Sequence, residues 1–170
     1  MKIKPTKCEF LKTKCHFLGR VIENGTIQPD REHVAKVLDW DQPRTVRQMQ
    51  SFIGFCNYYR EFVPRFSEVI EPLRRTMNIR SKKLTWSEDA TVGFAEVKRL
   101  LTSAPILSLP QDEGKFVLDT DASNCAISGI LHQYQKNEKG EEVLRPISYG
   151  SKALAGAELR YPARRPNLWQ

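Results

Sequence analysis

The stretch that most constrains this chain runs from Thr45 to Phe66, TVRQMQSFIGFCNYYREFVPRF. Val46, Met49, Phe52, Ile53, Cys56, Tyr59, Phe62 and Val63 recur at helical spacing, which predicts one long amphipathic helix closing near Pro64. Thr45, followed three residues later by Gln48, forms a capping box that marks the start. Such a stripe cannot be hidden by one helix, so the segments on either side must cover it.

The 170 residues allow one sizeable domain or two small units sharing an interface. The apolar fraction of 40% and charged fraction of 28% are those of an ordinary globular chain. No apolar run approaches the roughly 20 residues of a membrane span, and the opening MKIKPTKCEF has no apolar core of the signal-peptide kind. The expected location is the cytoplasm, with the nucleus as the alternative. The formal net charge of +7 points to an anionic partner, nucleic acid first, although a solvated basic face has the same composition. Cys8, Cys15, Cys56 and Cys125 lack the paired spacing of a zinc site and read as reduced thiols. Cys15 and His16 point to opposite faces of any strand, which argues against a shared metal with Cys8.

The first thirty residues predict a hairpin. The run CHFLGRVI reads as one strand, Asn24-Gly25 as its turn, and Thr26-Ile27 as a short return ended by Pro29, with Cys8 to Leu11 as a further short strand. Lysines 2, 4, 7, 12 and 14 with Arg20 face a single Glu9, a local excess of +5 through residue 20. A phosphate backbone would meet a cationic surface here and, at Gly19, a place of close approach; a lysine-protected sheet edge has the same charges. Asp30 predicts the cap of a short helix burying Val34, Val37, Leu38 and Trp40. Tyr58, Tyr59 and Arg60 place two phenols and a guanidinium around one turn, suited to a sugar-phosphate backbone or to packing on a loop. Ser67 is the expected cap of a segment that Pro72 either kinks or limits to one or two turns, and Arg74, Arg75, Arg80, Lys82 and Lys83 follow as a basic run, either a nucleic-acid contact or a solubilising connection. Ser87 caps a further helix burying Ala90, Phe94, Val97, Leu100 and Leu101. From Ile106 the period becomes strand-like: Lys115 to Leu118, Ala126 to Tyr134 and Val143 to Tyr149, joined by polar turns, predict an antiparallel meander.

No glycine-rich phosphate loop, GxSxG elbow or HExxH helix occurs in the sequence. Asp119 and Asp121, two apart on a strand, share one face and are oxygen ligands suited to a divalent cation. A two-ion phosphodiester site needs more carboxylates than this pair, and a strand-end turn uses the same residues.

In order, these landmarks resemble the pol polyprotein of gypsy-type long-terminal-repeat retrotransposons, from the end of the reverse transcriptase into its ribonuclease H. The resemblance is carried by Lys7 to Phe10 with Phe17-Leu18-Gly19, by Ser51 to Phe62, by Leu84 to Glu88 with Phe94, by Phe116 to Ser123, and by Pro146 to Leu154. It spans roughly residues 5 to 162. It implies an α+β chain: residues 1–29 as the end of the polymerase palm with a primer-grip-like hairpin, 30–105 as a helical thumb or connection block, and 106–170 as an incomplete ribonuclease-H-like mixed sheet. Phe17, Leu18 and Gly19 then correspond to the primer grip, with Lys12, Lys14, Arg20, Tyr58, Tyr59 and Arg60 as further nucleic-acid contacts. Asp121 corresponds to the first metal-binding carboxylate, for Mg2+ or Mn2+ in the parent family, and Asp119 is its neighbour without an assured role.

The resemblance also places the polymerase catalytic residues before residue 1 and finds no match for the ribonuclease H glutamate, since Glu158 precedes Tyr161. Both parent activities are therefore expected to be absent from the isolated chain, and tight metal binding with them. The leading expectation is a polyprotein fragment with sequence-independent affinity for an RNA–DNA hybrid. The alternatives are a metal-dependent ribonuclease H completed by a partner chain, and a protein-interaction fragment or non-functional relic.

Overall fold

The computed structural model describes residues 12–78, 80, 82–156 and 158. The strand expected over Cys8 to Leu11 and the break at Tyr161 to Pro166 lie outside the described residues.

Strands β1 (Lys14–Phe17), β2 (Arg20–Glu23) and β3 (Thr26–Pro29) form two successive hairpins. CHFLGRVI is therefore two strands, not one. Phe17 pairs with Arg20 across a two-residue turn in which Leu18 and Gly19 have φ of 48° and 72°, matching Asn24 and Gly25 at 49° and 71° in the next turn. Positive φ at both central residues is the geometry whose twist suits a tight hairpin. The apolar run simply crosses the first turn, which hid it from pattern reading.

Asp30 caps α1 (Arg31–Ala35), its side chain accepting from the Glu32 N–H at 3.0 Å. Val34 and Val37 enter the core, but Leu38 is exposed, contrary to the sequence expectation. Trp40 meets Phe52 edge-on at 5.7 Å. The capping box of Thr45 and Gln48 opens α2 (Val46–Tyr58) as expected. The helix does not reach Pro64, however. Proline disfavours helical geometry in the residue before it, and Val63 is extended at φ −115°, ψ 112°. A 3-10 turn at Arg60–Phe62 and a left-handed Arg65 complete the bend. Tyr59, Phe62 and Val63 are all buried nonetheless, so the apolar stripe continues across the bend.

Helix α3 (Phe66–Arg75) has Arg65 at its N-cap position, so Ser67 is not its cap; the Ser67 N–H instead donates to Ser151 Oγ at 2.9 Å. The helix runs through Pro72 for ten residues. It lies close against α4 (Glu88–Thr102) at Gly93, where an added Cβ would stand 3.3 Å from the Val69 carbonyl oxygen and 3.7 Å from Pro72. Between them β4 (Met77–Asn78) pairs with β5 (Lys83–Leu84). Ser87 caps α4 as expected, accepting from the Ala90 N–H at 3.2 Å. Lys98 on α4 donates to the carbonyls of Leu38 and Trp40 at 2.9 and 2.6 Å, which fixes the end of the α1 segment.

After α4, β6 (Leu107–Ser108) pairs with β3 and gives the sheet order β1-β2-β3-β6. Strands β7 (Phe116–Ala122), β8 (Ala126–Lys136) and β9 (Glu142–Ala153) form the expected antiparallel meander, with a register shift at Leu131/His132. Its β9 packs on α3 and the 3-10 turn, with Tyr149 against the main core. That core gathers Met49, Phe52, Tyr59, Phe62, Phe66, Ile70 and Leu73 around α2 and α3. Among the described residues no helix is long and apolar enough to cross a membrane.

Candidate nucleic-acid interface

The Leu18-Gly19 turn is held from beneath by the end of α2. The Tyr58 hydroxyl donates to the Leu18 carbonyl. The Tyr59 hydroxyl lies 3.3 Å from the Gly19 carbonyl oxygen and 3.0 Å from His33 Nδ1, an arrangement satisfied when Nδ1–H donates and the phenol donates onward to Gly19. The Asp30 N–H donates to the same Gly19 carbonyl at 2.9 Å. Burial pushes the Tyr59 phenol above its ordinary range, so it stays a donor. With its backbone fixed in this way, the turn presents Phe17 and Leu18 outward, 58% and 69% exposed. Gly19 permits the close approach: a Cβ there would lie 2.7 Å from the Tyr59 hydroxyl.

The aromatic and basic residues named beside the turn divide into two groups. Tyr59 is 1% exposed and Arg20 is tied down, stacked over Tyr58 at 5.1 Å and Phe62 at 5.9 Å and paired with Glu61 at 3.1 Å. Both brace the turn. Lys14 lies 3.2 Å from Glu23, an exposed pair that a phosphate can compete with, while Lys12 and Arg60 are exposed.

Asp30, whose N–H braces the turn, also has a side-chain partner. His16 Nδ1 lies 3.0 Å from Asp30 Oδ2, and this hydrogen bond leads in holding the Asp30 carboxyl below the ordinary aspartate range. A depressed folded-state pKa adds stability above the unfolded pKa that is lost as pH falls through the folded one. Asp30→Asn keeps the cap acceptor but removes this charge. Its melting temperature is therefore expected to fall less than that of the parent between about pH 6 and about pH 3. Equal acid sensitivity in the two proteins, read by circular dichroism, would exclude the Asp30 contribution.

Asp119 and Asp121 lie on β7 opposite Ile130 and Ser128, on the sheet face that meets Pro64, Arg65 and Tyr149. Asp119 Oδ2 is 3.1 Å from His132 Nδ1, and Asp121 Oδ2 is 3.8 Å from the Arg65 guanidinium. The fold thus places both carboxylates on one face, some way along the chain from the hairpin turn, and each has a cationic or imidazole neighbour. Among the described residues no group of three or more His, Cys, Asp or Glu side chains could hold a metal ion. Cys56 is no ligand candidate either: burial pushes its thiol up to about 12.

Sequence reading missed His33 and the way the two tyrosine hydroxyls hold the turn. Gly19 inside an apparent strand was the available signal, since an isolated glycine there marks close backbone approach.

A helical block that cradles an exposed hairpin turn and carries a β-meander on its flank resembles the ribonuclease-H-like and thumb regions of reverse transcriptases. Residues 86–169 match the family described as RNase H-like domain found in reverse transcriptase, and the chain as a whole is similar to retroelement-type reverse transcriptase/ribonuclease H-like domains. It is 34% identical over 96% of its length to the retrovirus-related Pol polyprotein from transposon 297 of Drosophila melanogaster, and 31% identical over 94% to the transposon Tf2-3 polyprotein of Schizosaccharomyces pombe. It spans 14% and 12% of those two polyproteins. Among solved structures it is similar to the foamy viral protease-reverse transcriptase in complex with RNA/DNA hybrid, with 28% identity and a TM-score of 0.74 over 96% of this chain and 21% of that one. The same enzyme in complex with dsDNA matches with 28% identity and a TM-score of 0.72, over 93% of this chain and 32% of that one.

Proposed function

We propose that the chain binds an RNA–DNA hybrid without sequence preference, through the backbone of the nucleic acid, and that the Phe17–Gly19 turn is a primer-grip-like contact. The observation that carries this reading is the exposed turn whose two carbonyls are held by Tyr58 and Tyr59: a rigid, apolar-tipped loop with Lys12 and Lys14 leading into it. Similarity to an enzyme described in complex with RNA/DNA hybrid supports it. Lys12, Lys14, Tyr58 and Arg60 supply the adjoining contacts, while Tyr59 and Arg20 act by positioning the turn.

The reverse transcriptase and ribonuclease H family uses divalent metal cofactors. In this chain Asp121 is the carboxylate that would touch Mg2+ or Mn2+, with Asp119 beside it. Two carboxylates, one facing Arg65 and one facing His132, do not make the donor set that two ions need, and no catalytic step is assigned to them.

Fluorescence anisotropy with a labelled hybrid and with duplex DNA across a salt series tests the proposal. Micromolar binding is expected, weakening with salt along a log–log slope of about −0.9 for each phosphate neutralised. Absence of binding at low salt, or binding indifferent to salt, would overturn it. The rival protein-interaction reading draws on Phe116 and Leu118, exposed on one face of β7; association that survives nuclease digestion would favour it.

A further inference from the structure

Strand β7 is an edge of the meander, whose order is β7-β8-β9. One step beyond either end of the β7–β8 ladder, the Tyr134 N–H donates to the Lys115 carbonyl at 3.0 Å and the Ser123 N–H donates to the Ala126 carbonyl at 2.8 Å. Bonded and non-bonded pairs alternate along an antiparallel ladder. Val117, Asp119 and Asp121 therefore turn their main-chain groups toward β8, while Phe116, Leu118, Thr120 and Ala122 turn theirs to the outer edge. Among the described residues no strand pairs with that edge. Edge strands are commonly blunted by proline, a bulge or brevity, but β7 runs for seven residues with no proline and no register shift against β8.

Its side chains restrict what can be added there. Phe116 and Leu118 are exposed on one face, and Lys115, Asp119 and Asp121 share the other. A second β7, laid antiparallel about a two-fold axis, sets each residue opposite one equally far from the axis. Like charges directly opposite destabilise such a pair. An axis at Asp119 or Asp121 sets that carboxylate against its own copy, an axis at Thr120 sets Asp119 against Asp121, and an axis at Phe116 or Val117 carries an aspartate to Glu113. An axis at Ala122 leaves Phe116 and Leu118 with no opposite edge. Only the axis at Leu118 meets none of these faults. It sets Lys115 opposite Asp121 twice, Leu118 opposite Leu118 and Phe116 opposite Thr120, giving two ion pairs on one face and an apolar row on the other. Asp121 is 3.8 Å from Arg65, beyond hydrogen-bonding distance, so its carboxylate can accept from a lysine of another chain.

We propose that the chain self-associates through β7, two copies pairing antiparallel about Leu118 so that the two three-stranded meanders become one continuous sheet. The Phe17–Gly19 turn belongs to the other sheet, so the association goes beyond the hybrid-binding reading and does not rest on it. The partner is a second copy because the order of charges along β7 complements itself in this one register.

Sedimentation equilibrium on the full chain, after nuclease digestion, tests the proposal. The paired edge is short and lies at the small end of specific interfaces, so half-dimerisation is expected on the order of 10–100 μM. Lys115→Glu and Asp121→Lys each set like charges opposite one another twice, and each is expected to weaken association about tenfold or more. Mixed in equal amounts, the two variants are expected to associate with each other about as tightly as the parent does with itself, since each supplies the charge the other has lost. Leu118→Lys, at an exposed position, sets two lysines together on the axis and is expected to remove the dimer without unfolding the chain, as circular dichroism checks. A parent that stays monomeric up to about 500 μM overturns the proposal, as does association that nuclease digestion abolishes. Folded single variants that associate as the parent does, or that stay monomeric when mixed, overturn it as well. Hybrid binding is read separately by anisotropy, so either reading can fall without the other.

Discussion

Phe52→Ala is expected to lower the unfolding free energy by about 3–5 kcal/mol, the range for truncating a large aromatic side chain in a core. Phe52 is fully buried in the middle of α2 and contacts rings from both flanking segments, Trp40 at 5.7 Å after α1 and Phe94 at 4.6 Å on α4. Neither neighbour can collapse into the void alone, because Trp40 also meets Phe55 and its carbonyl accepts from Lys98, while Phe94 also meets Trp86. Against a total domain stability of about 5–15 kcal/mol, such a loss removes a large share of the folding margin. Urea unfolding followed by circular dichroism measures it. Val92→Ala on α4, at a position 63% exposed, is the control and should stay within about 0.5 kcal/mol of the parent. A Phe52→Ala loss below about 1 kcal/mol would mean that the α2 stripe is not the centre of the core.

That stripe shows why part of the fold was legible in the sequence. Caps and periodicity are local, and the features written locally were read correctly: the box of Thr45 and Gln48, the Asp30 and Ser87 caps, and the three-stranded meander. The end of α2 was misplaced because the same hydrophobic spacing continues through a 3-10 turn and an extended Val63, so periodicity alone cannot see the bend. Pro64 supplied the clue, since it acts on the residue before it as well as on the helix after it.

Longer-range features were not legible. Gln133 is fully buried on β8; its Oε1 accepts from the Gln111 N–H, and its Nε2 faces the carbonyls of Gln111, Glu113 and Gly114 at 2.8, 3.1 and 3.3 Å. Nothing in the run of polar residues around it distinguishes this glutamine from an exposed one. The candidate interface has the same character. Its residues were identified by type and by family resemblance, but whether each one contacts solvent or braces the turn depends on partners some forty positions away. Tyr58 and Tyr59 are consecutive in sequence, yet one is exposed and the other enclosed.

That division of labour makes Gly19→Ala the sharpest single test of the turn. Two penalties add. Alanine at φ of 72° carries a left-handed strain of about 1–2 kcal/mol, and its Cβ would stand 2.7 Å from the Tyr59 hydroxyl. Tyr59 is enclosed and cannot swing aside, so relief requires giving up its contacts with His33 and the Gly19 carbonyl, worth about 1–3 kcal/mol. A total loss of about 2–5 kcal/mol is expected in urea unfolding. Hybrid affinity should fall about tenfold or more as Phe17 and Leu18 are displaced, if about 1.4 kcal/mol or more of the loss falls on the bound turn. Gly25→Ala separates the two penalties, because Gly25 has φ of 71° but nothing within 4 Å of its added Cβ. It should show the strain alone. Placing Gly19→Ala in a Tyr59→Phe background removes the colliding hydroxyl and should restore part of the stability lost relative to Tyr59→Phe, a coupling that the double-mutant cycle reads directly. Additive losses would show that the hydroxyl does not set the cost of a side chain at position 19. Unchanged hybrid binding by a destabilised Gly19→Ala would remove the turn from the nucleic-acid interface.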